Sequence, residues 1–250
     1  MRAIDHHAWS NRWSDRHPAE KLVPALGLLG VALVSPPLTT APLVWVVAVF
    51  ATVFGAGVPL RALLGMLAAP ALFLLAGAPF LAVSLDFTEG FALRFSPEGA
   101  HLALAATLRA LAAVSCLAFL ALTTPVVDWA PLLRRIKVPA GVVELILLVY
   151  RLIFVFAERA VTGRRAQAAR LGYSRFGHGL RSLALLAGGL FQRGLEQARR
   201  MEIGLTARSY TGELRVLRAE QPFSWGRLAL GLLGVGLVGT TSGLLARALP

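Results

Sequence analysis

The run LLGMLAAPALFLLAGAPFLAVSL, from Leu63 to Leu85, decides the fold class of this 250-residue chain. It contains no charged side chain, and a helix needs about 20 apolar residues to cross the hydrocarbon core of a bilayer. Pro70 and Pro79 interrupt the run. Membrane helices tolerate proline because neighbouring groups satisfy the freed carbonyls. The run therefore predicts a transmembrane helix.

The composition of the whole chain agrees with this prediction. It is 56% hydrophobic and 15% charged, with a mean hydropathy of +0.67, outside the usual range of a soluble globular domain. The single cysteine, Cys116, excludes an intramolecular disulfide and a cysteine-based zinc site. The first twenty-one residues lack the apolar core of a cleavable signal peptide. The chain is therefore expected to be an integral membrane protein.

Four further apolar runs predict additional spans. They are Leu22–Val34, Pro42–Val58, Gly99–Thr124 and Phe223–Leu249. Pro36 and Pro37 mark the turn after the first run, which is short for a span. Glycines in the last run, among them Gly231, permit close approach between helices. The pattern predicts an all-α, polytopic membrane protein with about five transmembrane helices.

The distribution of charge predicts the orientation. The loop from Asp86 to Gly99 carries three acids and one base, so it is expected to face outward, whereas the N-terminal tail is basic and cytosolic. From Arg134 to Arg218 the chain holds sixteen of its twenty-five basic residues and five of its thirteen acids. This third of the chain is therefore predicted to be cytoplasmic.

Two apolar stretches within the cytoplasmic third predict long amphipathic helices. They are Val142–Ala160 and Leu180–Ala198. In the first, Glu144 begins a polar stripe with a seven-residue repeat that continues through Arg151, Glu158 and Arg165. In the second, Glu196 and Arg200 have favourable i, i+4 spacing. The alternative is a hairpin of two further spans.

The predicted organisation has three segments. Residues 1–124 form an N-terminal tail and the first four transmembrane helices, residues 125–222 form a cytoplasmic coupling domain of long amphipathic helices, and residues 223–250 form the last transmembrane helix. Within the tail, Trp9 and Trp13 suit anchoring at the headgroup level if the segment is a short interfacial helix. A frayed polar tail is the alternative.

Each amphipathic helix ends in a related arginine motif. The motifs are AQAARLGYSR, from Ala166 to Arg175, and GLTARSYTGELR, from Gly204 to Arg215. In both, Ala-Arg is followed within three residues by tyrosine, with a glycine nearby. An exposed arginine between small neighbours suits docking, because its guanidinium can bind a carboxylate bidentately. The alternative is that each arginine only stabilises the helix macrodipole.

These two Ala-Arg-Gly/Ser signatures resemble the transmembrane (T) component of energy-coupling factor (ECF) transporters. The N-terminal IDHHAWSNRWSDRHPAEKL and the later ARSYTGELRVL are similar to the cobalt branch of that family, the CbiQ proteins. The resemblance spans nearly the whole chain. The first motif departs from the family pattern, because Leu171 stands between Arg170 and Gly172.

The resemblance implies a non-catalytic coupling subunit of a cobalt importer. Its partners would be two cytoplasmic ABC-type ATPase subunits and a substrate-binding membrane subunit, within the lipids of a bacterial cytoplasmic (inner) membrane. Motif arginines of the family insert into grooves on the ATPases. Matched by motif, the ATPase-docking residues here are Ala169, Arg170, Gly172, Ala207, Arg208 and Ser209.

The chain lacks motifs for catalysis of its own. It has no phosphate-binding loop, so ATP must be hydrolysed by a partner. No catalytic residue, cofactor or nucleic-acid partner is expected, and no metal ligand is assigned, although His6, His7 and His17 share the tail. Arg109, within a predicted span, is expected to face protein or water, for packing or for coupling. The alternatives are a T component for nickel or a vitamin, and a membrane-bound lipid-modifying enzyme.

Overall fold

The computed structural model describes residues 2–86, 92–210 and 221–248, and this part of the chain is almost entirely helical. Its α-helices are α1 (Arg2–Ser10), α2 (Pro18–Val34), α3 (Pro37–Phe50), α4 (Leu60–Ala82), α5 (Pro97–Thr123), α6 (Trp129–Arg135), α7 (Ala140–Ala169), α8 (Phe176–Thr206) and α9 (Trp225–Ala248). A π-helical turn, Ala51–Gly55, continues α3, and a 3₁₀ turn, Val126–Asp128, precedes α6. The predicted all-α fold is confirmed.

The loop between α4 and α5 contains two short antiparallel strands that the sequence did not predict. They are β1 (Val83–Asp86) and β2 (Ala92–Phe95), with Val83 opposite Phe95. Strand β2 lies in the acidic loop that was predicted to face outward. Strand β1 instead occupies the end of the predicted span Leu63–Leu85, so the prediction that this helix reaches Leu85 is wrong: α4 ends at Ala82, and the chain pairs with β2 from there.

Five described helices are long and apolar enough to cross a membrane, as predicted, but they are not the same five. They are Pro37–Gly55, Leu60–Leu81, Pro97–Thr123, Ala140–Ala169 and Trp225–Leu245. Helix α2 is absent from the set because it has only 17 residues. Helix α7 is included because an 18-residue apolar window fits within its 30 residues. A position of α7 along the membrane or across it therefore stays a prediction.

The chain divides into two compact units. One consists of Met1–Asp128 with Ala219–Pro250, and the other of Trp129–Arg218. In the first unit, α2, α3, α5 and α9 pack together through small buried residues such as Ala32, Ala48 and Ala112. A Cβ at Gly231 would lie 2.5 Å from Cγ of Pro24, so the expected close approach between helices occurs at this glycine.

The N-terminal segment is joined to the end of α5 by Lys21. Its side chain is 2% exposed, and its ammonium donates to the carbonyls of Trp13 and Thr123, at 2.9 Å each. Asn11 adds longer bonds from Nδ2 to the carbonyls of Leu122 and Thr123. Burial lowers the pKa of Lys21 to about 8, so the ammonium stays charged at neutral pH. A cation here also complements the helix dipole of α5.

Trp13 is half-buried and packs against other parts of the first unit, so its position at the headgroup level stays a prediction. Its ring makes an edge contact with Phe119, and a Cβ on Gly55 would lie 2.6 Å from Cζ2 of the indole. The bond from Arg12 N to the Ala56 carbonyl holds the same segment. Trp9, on α1, is 54% exposed. The absence of a side chain at Gly55 thus leaves room for the indole of Trp13 to pack against this turn.

Arg109 lies where the sequence suggested, against protein rather than free in lipid. Its Nη2 donates to the Ser35 carbonyl at 3.2 Å, and Ser35 is the residue that caps the C-terminus of α2. The guanidinium thus satisfies a carbonyl that the end of α2 leaves without an intrahelical partner.

In the second unit, α7 and α8 form an antiparallel hairpin, the α7–α8 hairpin. A Cβ on Gly163 would lie 2.6 Å from Cδ1 of Leu186, and a Cβ on Gly194 would lie 3.4 Å from Phe156. Near the turn, Gln167 Nε2 donates to the Ser182 carbonyl at 2.9 Å. Both predicted long helices are therefore present, and both extend beyond the predicted limits.

Gly172 closes the turn of the hairpin. Its carbonyl accepts a bond from Ser182 Oγ at 2.9 Å. A Cβ at this position would lie 2.7 Å from Ser182 Oγ and 2.9 Å from the Gln167 carbonyl oxygen. Any larger residue would therefore push α8 away from the end of α7.

We expect Lys21→Met to destabilise the protein by about 1–3 kcal/mol, because buried carbonyls at Trp13 and Thr123 lose a donor. Thermal unfolding in detergent micelles measures the change. Lys137→Met is the matched control, since Lys137 is the other lysine of the chain and is exposed. Equal melting temperatures for the two variants would contradict the role of Lys21.

We expect Gly172→Ala to lower the melting temperature, because the added methyl group meets a backbone oxygen that cannot easily move. Gly188→Ala, within α8, is the control: its Cβ meets nothing within 4 Å, and alanine favours a helix over glycine by about 1 kcal/mol. The two substitutions should therefore shift stability in opposite directions. A stabilising Gly172→Ala would show that the turn is not close-packed.

Candidate docking tips of the α7–α8 hairpin

The end of α7 forms the first tip, Ala169–Gly172. The Gly172 amide donates to the Gln167 carbonyl at 2.9 Å, and the Leu171 amide to the Ala168 carbonyl at 3.0 Å. Leu171 has φ 59°, in the left-handed region. Together these features form a Schellman motif, in which the left-handed residue directly follows the capping residue, here Arg170.

The end of α8 forms the second tip, Ala207–Tyr210, with the same cap. The Tyr210 amide donates to the Leu205 carbonyl and the Ser209 amide to the Thr206 carbonyl, both at 3.1 Å. Ser209 has φ 53°. Arg208 thus occupies the position that Arg170 has in the first tip. In the Ala-Arg-Gly pattern that the resemblance implies, the glycine would stand at this left-handed position, a conformation that glycine adopts without steric cost.

Both arginines are exposed at these caps. Within the described parts of the chain, no hydrogen bond or ion pair engages either guanidinium, and backbone amides already satisfy the last carbonyls of both helices. Neither arginine is needed to close its helix. Dipole stabilisation remains available to them, but the guanidinium groups of Arg170 and Arg208 are free to bind a partner.

A tyrosine hydroxyl ties each tip to α7. Tyr173 donates to Gln167 Oε1 at 2.8 Å, and Tyr210 donates to Glu144 Oε2 at 2.7 Å. Glu144 is buried, so it departs from the exposed stripe on which the sequence placed it. The reason is that α8 returns its C-terminal end to the start of α7, where Tyr210 meets the carboxylate.

The two tips lie at opposite ends of the hairpin. The second tip contacts α7 at Glu144, and the first tip follows the end of α7 at Ala169. At 1.5 Å of rise per residue, the helix between Glu144 and Arg170 is about 40 Å long. Arg170 and Arg208 therefore cannot enter the same binding groove.

Between the tips, the hairpin exposes apolar and basic surface. No described residue of α8 is buried. Its exposed apolar side chains include Leu183, Phe191 and Ile203, and α7 exposes Leu145 and Ile153. The predicted Glu196–Arg200 pair is confirmed, at 3.3 Å. It lies in a polar cleft with Arg159 and Arg193.

The structure groups the predicted site residues into two sets. Ala169, Arg170 and Gly172 belong to the first tip, and Ala207, Arg208 and Ser209 to the second. Their assignment to ATPase docking stays a prediction. Gly212, the glycine of the second motif, lies outside the described residues.

Sequence reasoning missed the left-handed backbone of Leu171 and Ser209, and the partners of both tyrosines. The one available signal was the repeated Arg-X-Tyr order, with a single residue inserted in the first motif. That order predicts neither a backbone angle nor a contact with a residue 66 positions away.

The N-terminal histidines do not form a metal centre with other ligands in the described ranges, where no group of three or more His, Cys, Asp or Glu residues could hold an ion. His17 has a structural role instead. Its Nδ1 accepts the Ala19 amide at 3.2 Å and so caps α2, and its ring makes an edge contact with Phe223.

Comparison with known proteins gives the family. Residues 10–217 match the family CbiQ, described as "Cobalt transport protein". The chain is 42% identical over 231 residues to "Cobalt transport protein CbiQ" of Rhodobacter capsulatus, covering 92% of this chain and 93% of that protein. The Salmonella typhimurium protein of the same name is 28% identical, covering 86% and 100%.

A third relative contains a similar segment within a longer protein. The "Putative fused cobalt transport protein CbiMQ" of Methanocorpusculum labreanum is 35% identical over 130 residues, which are 51% of this chain and 22% of that protein. Together with five helices that could span a bilayer, the family match over most of the chain identifies a multi-pass membrane component of a cobalt transporter, and the chain belongs to the CbiQ family.

Proposed function

We propose that this protein is the energy-coupling subunit of an ECF-type cobalt importer, and that its two tips bind two cytoplasmic ATPase subunits. ATP-driven movement of the ATPases would be transmitted through the α7–α8 hairpin to a substrate-binding membrane subunit. The protein itself would catalyse no reaction. Its expected location is the cytoplasmic membrane of a bacterium.

The observation that carries this proposal is the repetition of one cap at both ends of the hairpin. Each cap has an exposed arginine followed by a left-handed residue, at Leu171 and at Ser209. An antiparallel helix pair has an approximate two-fold axis across its middle, so its two ends present their arginines in related orientations. A symmetric pair of ATPases could therefore receive one tip each.

Arginine suits such a contact for a physical reason. Its guanidinium is always charged and can form two parallel hydrogen bonds to a carboxylate in a partner's groove. The surroundings of the two arginines differ. Near the first tip, Leu171 is 74% exposed and Phe176 is 91% exposed. At the second tip, the residue that follows the arginine is the polar Ser209. The groove that receives Arg170 should thus have an apolar wall.

The exposed apolar side chains of the hairpin support a contact with the substrate-binding membrane subunit. A helix such as α8, with apolar side chains but no buried described residue, needs a lipid or protein surface against it. The substrate-binding membrane subunit and the surrounding lipids would supply that surface. The relative named as a fused cobalt transport protein is consistent with a membrane partner, since such fusions join proteins that act together.

We expect Arg170→Glu and Arg208→Glu each to weaken binding of the ATPases by about 30-fold or more, because a buried charge pair becomes a repulsion. The double variant should neither co-purify with the ATPases nor support uptake of radiolabelled cobalt. The control is Arg165→Glu with Arg199→Glu, which makes the same charge change at exposed positions away from the tips. Normal assembly and uptake by the double tip variant would refute the proposal.

We expect Tyr210→Phe to weaken ATPase binding by about 3- to 10-fold, because the second tip loses a hydrogen bond of about 1 kcal/mol to Glu144. Titration of the purified complex measures the affinity. Glu144→Gln should have a smaller effect, since it keeps an acceptor in place. If Tyr210→Phe binds normally while Arg208→Glu does not, the tyrosine has no part in holding the tip.

A further inference from the structure

A cleft of about 270 Å³ lies in the first unit, between α2, α3, α5 and α9. Its wall is largely apolar and includes Pro24, Leu28, Val47 and Phe119. Leu230, which is 75% exposed, forms one edge, so the cleft reaches the surface of the helix bundle. Nothing in the proposed docking of ATPases involves these residues.

One end of the cleft is charged. Arg16, Glu20, Lys21 and Arg227 line it. Glu20, whose side chain is 2% exposed, accepts the Ser224 amide at 2.6 Å and pairs with Arg227 Nε at 3.3 Å. Among the lining side chains, one carboxylate thus faces three cations, a net charge of +2 beside an apolar wall. Just outside the lining, the charges of Asp15 and Arg12 offset each other.

The two guanidinium groups keep capacity for an anion. The Cζ atom of Arg16 lies over the Trp13 ring, 4.3 Å from its centroid, and among the described residues no hydrogen bond or ion pair engages the guanidinium N–H donors of Arg16. Arg227 offers Nη donors beyond its Nε contact with Glu20, and its side chain is 40% exposed. Lys21 is already bonded to two carbonyls, so it supplies charge rather than a free donor.

We propose that this cleft binds one acyl chain of an anionic glycerophospholipid, with the phosphate at Arg16 and Arg227. The apolar wall matches the chain, and the net positive end matches an anionic headgroup. The charged end lies at the N-termini of α2 and α9, which the predicted topology places at the cytoplasmic headgroups. A zwitterionic lipid would fit the wall but would not balance the charge.

A matched pair of glycine substitutions tests occupancy of the cleft. Gly234 lines it, whereas Gly236 lies on the same helix outside it, and a Cβ on either meets nothing within 4 Å. Native mass spectrometry of the full chain counts phosphatidylglycerol retained from mixed bilayers. Gly234→Leu should reduce retention about tenfold, while Gly236→Leu should retain lipid like the wild type. Equal retention by both variants would overturn the proposal.

A second pair tests recognition of the headgroup. Arg227→Gln should lower the preference for phosphatidylglycerol over phosphatidylcholine about fivefold, and Arg227→Lys should preserve most of it. Thermal unfolding of each variant shows that it is folded. A wild-type protein that retains phosphatidylcholine as well as phosphatidylglycerol would overturn the assignment of an anionic lipid. Because ATPase binding is measured separately, failure of this proposal leaves the docking proposal untouched.

Discussion

The hydrogen bonds at the ends of the helices are the constraint on which the other features depend. A helix leaves its last carbonyls without intrahelical partners, and water cannot reach them inside a packed or membrane-embedded unit. The first unit meets this need with charged side chains. Lys21 serves the end of α5, Arg109 serves the end of α2, and Glu20 accepts the Ser224 amide ahead of α9. The bonds from Lys21 to Trp13 and from Asn11 to Leu122 and Thr123 also hold the N-terminal segment against the end of α5.

The second unit solves the same problem with its backbone. The Schellman caps at Leu171 and Ser209 satisfy the last carbonyls of α7 and α8 by main-chain amides. Arg170 and Arg208 are thereby released from a capping role that the sequence could equally have given them. The same chain therefore uses some cations to complete helices and keeps others exposed. That difference separates a structural arginine such as Arg109 from the two arginines proposed to bind ATPases.

Much of this arrangement could be predicted from local sequence. Apolar runs gave the helices, Pro36 and Pro37 gave the turn before α3, and the Arg-Tyr repeats gave the ends of α7 and α8. Contacts between distant residues could not be predicted. Trp13 enters a slot beside Gly55, and Glu144 is buried by Tyr210, because tertiary packing overrides what helical periodicity suggests for a single element. The five helices that could span a membrane also differ from the five that were predicted. Helix α2, with 17 residues, is too short to be included, whereas α7 contains a long enough apolar window.

The proposed coupling requires a hairpin that moves as one body. A force applied at Arg170 reaches α8 only if the turn does not yield, and Gly172, Gln167 and Ser182 lock that turn through backbone and side-chain bonds. At the other end, the Tyr210–Glu144 bond joins the end of α8 to the start of α7. Between its two ends, the hairpin packs closely at Gly163 and Gly194. With both ends joined in this way, the ATPases would move the hairpin as one body while its exposed apolar side chains slide against a membrane partner, a shear motion that packed helices permit.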